Sequence, residues 1–134
     1  MSNRLLILLF ALWVLPSHVC AEQTLSFEKR VALAKEIEEQ NATAEYFHNG
    51  MYPAIGPSLA GAMRECMSHV GASPDKFAVV ADVTQDGEFI HIAYEPNTNT
   101  AACLAAAMAS FRAPAPPTCD CGPLPIVIEM SVKP

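Results

Sequence analysis

The chain has 134 residues, a formal net charge of −6 and a hydrophobic content of 51%. This length fits one small domain with a modest core. The acidic balance argues against nucleic acid and anionic membrane surfaces as partners, because both attract basic patches.

Residues 1–21 are predicted to be a secretory signal peptide. Arg4 supplies a positive charge, an apolar run follows from Leu5 to Leu15, and Val19-Cys20-Ala21 offers a cleavage site. The run is shorter than the about 20 apolar residues of a membrane-spanning helix. A lipid anchor on Cys20 is the alternative. Cleavage after Ala21 would leave 113 residues with net charge −7 and no stable membrane anchor. We expect a periplasmic or secreted bacterial protein.

Helical patterns occupy the first half of the remaining chain. Residues 26–40 predict a helix that begins at Ser26 and has apolar residues on one stripe. Residues 46–57 contain two glycines and two prolines and predict a break. A second helix is predicted over residues 58–70. Residues 22–49 form an N-terminal helical segment, and the sequence leaves open whether it docks on the domain formed by residues 50–134.

Strand patterns follow in the second half. Residues 77–83 alternate, Gln85-Asp86-Gly87 predicts a turn, and Ile90, Ile92 and Tyr94 alternate on the return strand. A third helix is predicted over residues 99–111 and a proline-rich loop over 112–125. The last strand follows at 126–132. Its predicted inward residues are Ile126, Ile128, Met130 and Val132, and its predicted outward residues are Val127, Glu129 and Ser131.

This order of elements predicts an α+β fold. A right-handed crossover through the third helix places the last strand beside the first hairpin strand and antiparallel to it. The expected sheet has three antiparallel strands in β-β-α-β order, with helices packed on one face and an N-terminal helix before it. The last strand would lie at an open edge, which can receive a strand from another protein.

Short motifs in residues 50–133 resemble a known family. They are Met51-Tyr52-Pro53 before a helix, Asp86-Gly87 at the hairpin turn, and Ser110-Phe111-Arg112-Ala113-Pro114 after an alanine-rich helix. This pattern is similar to the C-terminal domain of TonB and TolA proteins. The AgmX/PglI-like branch is the closer match, because its members carry cysteines where this chain has Cys66 and Cys103. TonB itself has a membrane anchor and a long proline-rich spacer, whereas we expect a cleavable signal peptide and no spacer in this chain.

The resemblance implies a periplasmic, non-enzymatic protein-binding domain. It also implies that Cys66 and Cys103 lie on neighbouring helices and form a disulfide. Such a bridge would close a loop of about 37 residues and stabilise the fold by ~3–4 kcal/mol. An even number of cysteines after export, namely Cys66, Cys103, Cys119 and Cys121, is typical of a disulfide-bonded protein.

Cys119 and Cys121 leave three interpretations open. They could bridge locally or pair with Cys66 or Cys103 as a structural staple, which is the favoured interpretation. A redox centre is disfavoured by Asp120 between the two thiols. A metal clip would need a histidine, and the histidine spacing matches no zinc signature. We therefore expect no metal and no cofactor.

The function hypothesis is an exported adaptor that binds another envelope or secreted protein through its surface and its edge strand. The candidate residues are Ile126, Val127, Ile128, Glu129 and Ser131. No nucleophile–base pair can be identified, so we expect no enzymatic activity. The alternative is a periplasmic inhibitor or immunity protein whose negative charge masks a toxin or hydrolase.

Overall fold

A computed structural model describes residues 25–69, 71–118 and 122–131. The predicted signal peptide, Cys119, Cys121 and Val132 lie outside these residues. Within the described ranges, no helix has both the length and the apolar character needed to cross a membrane.

Helix α1 spans Phe27–Glu39, as its sequence pattern predicts. The Ser26 side chain accepts a hydrogen bond from the Lys29 amide and caps the first turn. The helix ends at Gln40, whose ψ of 135° is extended. Its buried side chains are those of Ala34 and Ile37.

A nearly continuous helical run follows α1. It consists of α2 (Asn41–Glu45), a π-helical segment (Tyr46–Met51) and α3 (Tyr52–Ser68). The predicted break over residues 46–57 is therefore wrong. Pro53 lies at the start of α3, directly after the π-helical segment, and Pro57 lies inside α3, so the run lacks the backbone N–H of both prolines and is helical despite them. Phe47, Met51 and Ile55 recur every four residues and are buried to 2% exposure or less, so core packing stabilises this stretch.

Three strands form the predicted antiparallel sheet. Strand β1 spans Phe77–Val83, β2 spans Phe89–Glu95 and β3 spans Leu124–Met130. Their order is β2-β1-β3, with both neighbouring pairs antiparallel, which confirms the α+β class and the position of the last strand. Helix α4, Asn99–Met108, connects β2 to the segment that leads into β3.

A β-bulge interrupts the pairing of β1 with β2. Val80 pairs with Ala93 and Asp82 pairs with Ile90, so two residues of β2 oppose one residue of β1. His91 lies in the bulge with a φ of 52°, in the left-handed region. The bulge turns Ile90 to the side of Asp82, away from the face of Ile92 and Tyr94. The predicted uniform alternation of these three residues is therefore wrong.

Helices cover both faces of the sheet, so the expected packing on one face describes α3 and α4 but not α1. The main core joins α3, α4 and one face of the sheet, and it also includes Ile37 and Phe47 from the N-terminal segment. On the other face, Ala34 of α1 packs with Val80 and Val127 in a second cluster. The N-terminal segment from residue 25 onwards thus docks on the sheet, which the sequence left open. Val127 does point away from the main core, but α1 covers it and leaves only 8% of it exposed.

Candidate functional site

The outer edge of β3 is the candidate site, and the hairpin turn fixes which of its backbone groups point outward. The Thr84 amide donates to the Glu88 carbonyl, and the Thr84 carbonyl accepts from the Gly87 amide. Both backbone groups of Thr84 therefore point towards β2. Because these directions alternate along an antiparallel strand, the odd-numbered residues of β1 point towards β3.

The register then assigns the backbone directions in β3. Odd-numbered residues of β1 pair with Leu124, Ile126, Ile128 and Met130, so these four direct their amides and carbonyls inward. Pro125, Val127 and Glu129 direct theirs to the open edge. Pro125 agrees with this assignment, because proline has no N–H and is tolerated in a strand where its nitrogen faces outward.

The outward groups of β3 have no backbone partner elsewhere in the described chain. The described chain also forms backbone hydrogen bonds in its turns, loops and helix caps. None of these involves a residue of β3. The edge therefore offers the amides of Val127 and Glu129 and the carbonyls of Pro125, Val127 and Glu129. Such a row of free donors and acceptors is a template for a further strand.

The side chains of the predicted site residues divide into buried and exposed ones. Ile126 and Ile128 are 2% and 7% exposed in the main core, and Val127 is covered by α1. Glu129 and Ser131 are exposed. The Glu129 carboxylate lies 2.8 Å from the Lys35 ammonium, and both side chains are about half exposed. Binding along this edge would therefore use backbone groups of β3 and the flanking side chains Glu129 and Ser131.

The opposite edge, formed by β2, is interrupted. The Arg30 guanidinium donates to the His91 carbonyl at 2.7 Å, within the bulge. At the start of the strand, Glu88 pairs with Arg112 in an isolated antiparallel bridge, and the Ala113 amide donates to the Gly87 carbonyl at 2.9 Å. These contacts leave β2 without a continuous open edge.

A polar cluster surrounds the bulge. The His91 Nδ1 lies 2.8 Å from Asp82 Oδ2, and Asp82 Oδ1 lies 3.8 Å from the Arg30 guanidinium. The His91 side chain is 65% exposed. Among the described residues, no hydroxyl or thiol forms a hydrogen bond with His91, and the contacts of the cluster are those of a brace between α1 and the bulge. Over the described ranges, no group of three His, Cys, Asp or Glu side chains is arranged to hold a metal ion.

A disulfide joins Cys66 of α3 to Cys103 of α4, the pair that the family resemblance implies. Cys66 is 3% exposed, so the bridge lies within the layer of helices above the sheet. It holds together the two helices that cover the main core.

Two tyrosines tie the helical run to its surroundings. The Tyr46 hydroxyl donates to the Pro114 carbonyl at 2.8 Å, and burial raises the pKa of Tyr46 to about 12. The Tyr52 hydroxyl donates to the Glu38 carboxylate at 2.6 Å. The pKa of Tyr52 is raised well above its ordinary value. Burial is the largest cause, and the hydrogen bond to Glu38 and the negative charge of Glu38 add to it. Both contacts fix residues around the core and lie apart from the β3 edge.

The sequence pattern predicts β3 at the edge of the sheet but does not predict three features of its surroundings. These are the helix over Val127, the bulge at His91 and the Arg30 contact that braces it. The sequence does show the apolar stripe of α1. Such a stripe predicts that the helix packs against something, but it does not predict which face of the sheet the helix covers.

Comparisons with protein-family models, curated proteins and solved structures give no match.

Proposed function

We propose that this protein is an exported, non-enzymatic interaction domain that adds an extended segment of another envelope or secreted protein to the open edge of β3. The observation that carries this proposal is the contrast between a regular seven-residue edge strand and a second edge interrupted by a bulge. Strand addition gives affinity through main-chain hydrogen bonds and does not require a pocket.

The five outward groups of β3 suit a short partner segment. Residues with the same direction recur every second position, about 7 Å apart along an extended strand. An antiparallel segment of about five residues can reach both amides and the three carbonyls. The α1 helix lies over the outer face of β3, so side chains on one face of the added strand would pack beside this helix.

Export is supported by chemistry as well as by the N-terminal sequence. Disulfides such as Cys66–Cys103 persist in oxidising compartments and are rare in reducing ones. A periplasmic location and a TonB/TolA-type fold are both part of the proposal. The β-β-α-β order with the last strand at an edge is the arrangement that this resemblance implies.

Photo-crosslinking in cells that export the protein tests the proposal. A photoreactive amino acid replaces Glu129 or Ser131 beside the edge, and Glu45 on the exposed end of α2 serves as the control position. We expect one envelope or secreted protein to crosslink at the two edge positions and not at residue 45. Equal crosslinking at all three positions, or none at the edge, would contradict the proposal. A toxin or hydrolase as the specific product would instead favour the inhibitor or immunity role.

A further inference from the structure

A groove crosses the end of the sheet where β1 begins and where β2 and β3 end. It consists of two adjoining open depressions of about 450 and 490 Å³ that share Ala78 and Glu95. The first reaches Met130 and Ser131 at the end of β3. The second lies beside the first turns of α1 and has apolar walls. We call the two together the sheet-end groove.

The apolar part of the groove is formed by side chains from three elements. Phe27 and Val31 come from α1, Ala78 comes from β1, and Pro96 follows β2. Phe27 and Val31 are only partly buried, although they pack against the second core cluster. This surface can take an apolar side chain of a bound segment.

The charged rim of the groove is acidic. Of the described residues that line it, Glu28, Glu95 and Glu129 are acidic and Lys76 is basic. Glu129 is paired with Lys35. Glu28 and Glu95 are exposed, and no cation of the described chain lies within 4.0 Å of either carboxylate. The groove therefore has two carboxylates available to a basic ligand.

The groove is continuous with the proposed edge site. Glu129 and Met130 belong to β3 and also line the first depression. A segment added to β3 would leave the strand at this end and cross the groove. In the antiparallel arrangement, the residues that cross it precede the added strand in the partner's sequence.

We infer that the sheet-end groove selects partner segments with a lysine or arginine and an adjacent apolar residue immediately before the strand-forming stretch. This inference rests on the proposed strand addition. The basic side chain pairs with Glu28 and Glu95, and the apolar one packs on Phe27 and Pro96. A second copy of this chain fits poorly, because each copy carries a net charge of −6 and its own Glu129 on the edge.

Fluorescence anisotropy with three synthetic peptides tests this inference. Each labelled probe ends in Thr-Val-Thr-Val-Thr and begins with Lys-Lys-Leu, Gln-Gln-Leu or Glu-Glu-Leu. At low salt we expect the basic probe to bind threefold to tenfold more tightly than the neutral one, the range given by one or two exposed ion pairs. The acidic probe should bind more weakly than both. Salt should reduce these differences.

Two double variants separate local from overall charge. Glu28→Gln/Glu95→Gln should abolish the preference for the basic probe. Glu45→Gln/Glu65→Gln makes the same change in net charge at exposed positions outside the groove, and it should retain the preference. The inference would be overturned if Glu28→Gln/Glu95→Gln still preferred the basic probe. It would also be overturned if both double variants lost this preference to the same extent.

A third variant distinguishes failure of the groove from failure of the edge. Glu129→Pro removes an outward amide of β3, and Glu129→Ala is its matched control. If only Glu129→Pro weakens all three probes and no charge preference exists, the edge is used but the groove assignment is wrong. If the charge preference exists but Glu129→Pro binds like Glu129→Ala, the groove is used without strand addition. Binding by none of the probes, or dimers of this chain in sedimentation that exclude the probes, would contradict both proposals.

Discussion

The two edges of the sheet differ in how they are closed. The β2 edge is bent by a bulge, held by Arg30 at the His91 carbonyl, and bridged to Arg112 at its start. The β3 edge keeps regular pairing over all seven of its residues with β1. Natural sheets commonly protect their edges with bulges, charges and proline. Here the stronger protection lies on β2, and β3 keeps an accessible template.

Helix α1 contributes to both edges in different ways. Its Arg30 reaches the bulge of β2, whereas Lys35 pairs with Glu129 at the rim of β3. Ala34 lies between them over Val80 and Val127. The same helix therefore braces one edge and covers only the face of the other. The edge of β3 stays open because α1 covers the face of this strand and leaves its outward backbone groups unpaired within the described chain. Pro125 removes one amide from this exposed row.

The largest expected effect separates inward from outward positions of β3. Ile128→Pro removes an amide that pairs with β1 and an apolar side chain from the core, so we expect a loss of about 4 kcal/mol or more in the free energy of unfolding. Glu129→Pro alters an outward amide and should lose about 1 kcal/mol or less. Urea denaturation followed by circular dichroism measures both. Equal losses would show that the assigned backbone directions are wrong.

The disulfide should stabilise the whole domain without shaping the β3 edge. Cys66→Ala/Cys103→Ala should lower the free energy of unfolding by ~3–4 kcal/mol, because the unfolded chain gains the freedom of a 37-residue loop. Denaturation at neutral pH measures this loss. Crosslinking at residue 129 should persist at temperatures where the variant is folded. A folded variant that no longer crosslinks would link the helix layer to the binding edge.

The closed β2 edge depends on the turn glycine. Gly87 has a φ of 78°, and a Cβ there would lie 1.9 Å from the Ala113 carbonyl oxygen. Gly87→Ala should therefore lower the free energy of unfolding by about 2–3 kcal/mol through strain and displacement of the 113 segment. Gly56→Ala is the control, because its Cβ would meet no atom within 4 Å. It should be neutral or stabilising, and thermal unfolding compares the two.

The smallest expected effect concerns the contact between Tyr46 and Pro114. Tyr46→Phe removes this hydrogen bond and should lower the free energy of unfolding by about 1 kcal/mol at neutral pH. Folding raises the pKa of Tyr46 from 10.0 to about 12, so its neutral form stabilises the protein below pH 10. That stabilisation is lost as the pH rises from 10 to 12. The difference between wild type and variant should shrink over this window, and a constant difference would contradict the assignment.

Local sequence patterns were sufficient for several elements. Ser26 and the apolar stripe predicted α1, and alternation with an Asp86-Gly87 turn predicted the hairpin. A right-handed crossover through the third helix could then place β3 beside β1. These features follow from neighbouring residues and from the handedness of connections, so the class and the edge position could be inferred.

Long-range packing accounts for the features that could not be predicted. The glycines and prolines in residues 46–57 predicted a break in the helix. The four-residue spacing of Phe47, Met51 and Ile55 instead indicates a helix, and burial of these side chains stabilises it. The bulge could not be predicted because no glycine marks it: His91 has the positive φ, and it contacts Asp82 and Arg30. The position of α1 over Val127 depends on which face the other helices leave uncovered.

Amide exchange measured by NMR tests the central claim most directly. In the free protein, we predict slow exchange for the amides of Ile126 and Ile128 and fast exchange for those of Val127 and Glu129. Adding the partner captured by crosslinking should slow exchange at Val127 and Glu129 and leave the β2 edge unchanged. Slow exchange at these two amides in the free protein, or no change on binding, would contradict an open β3 edge that receives a partner strand.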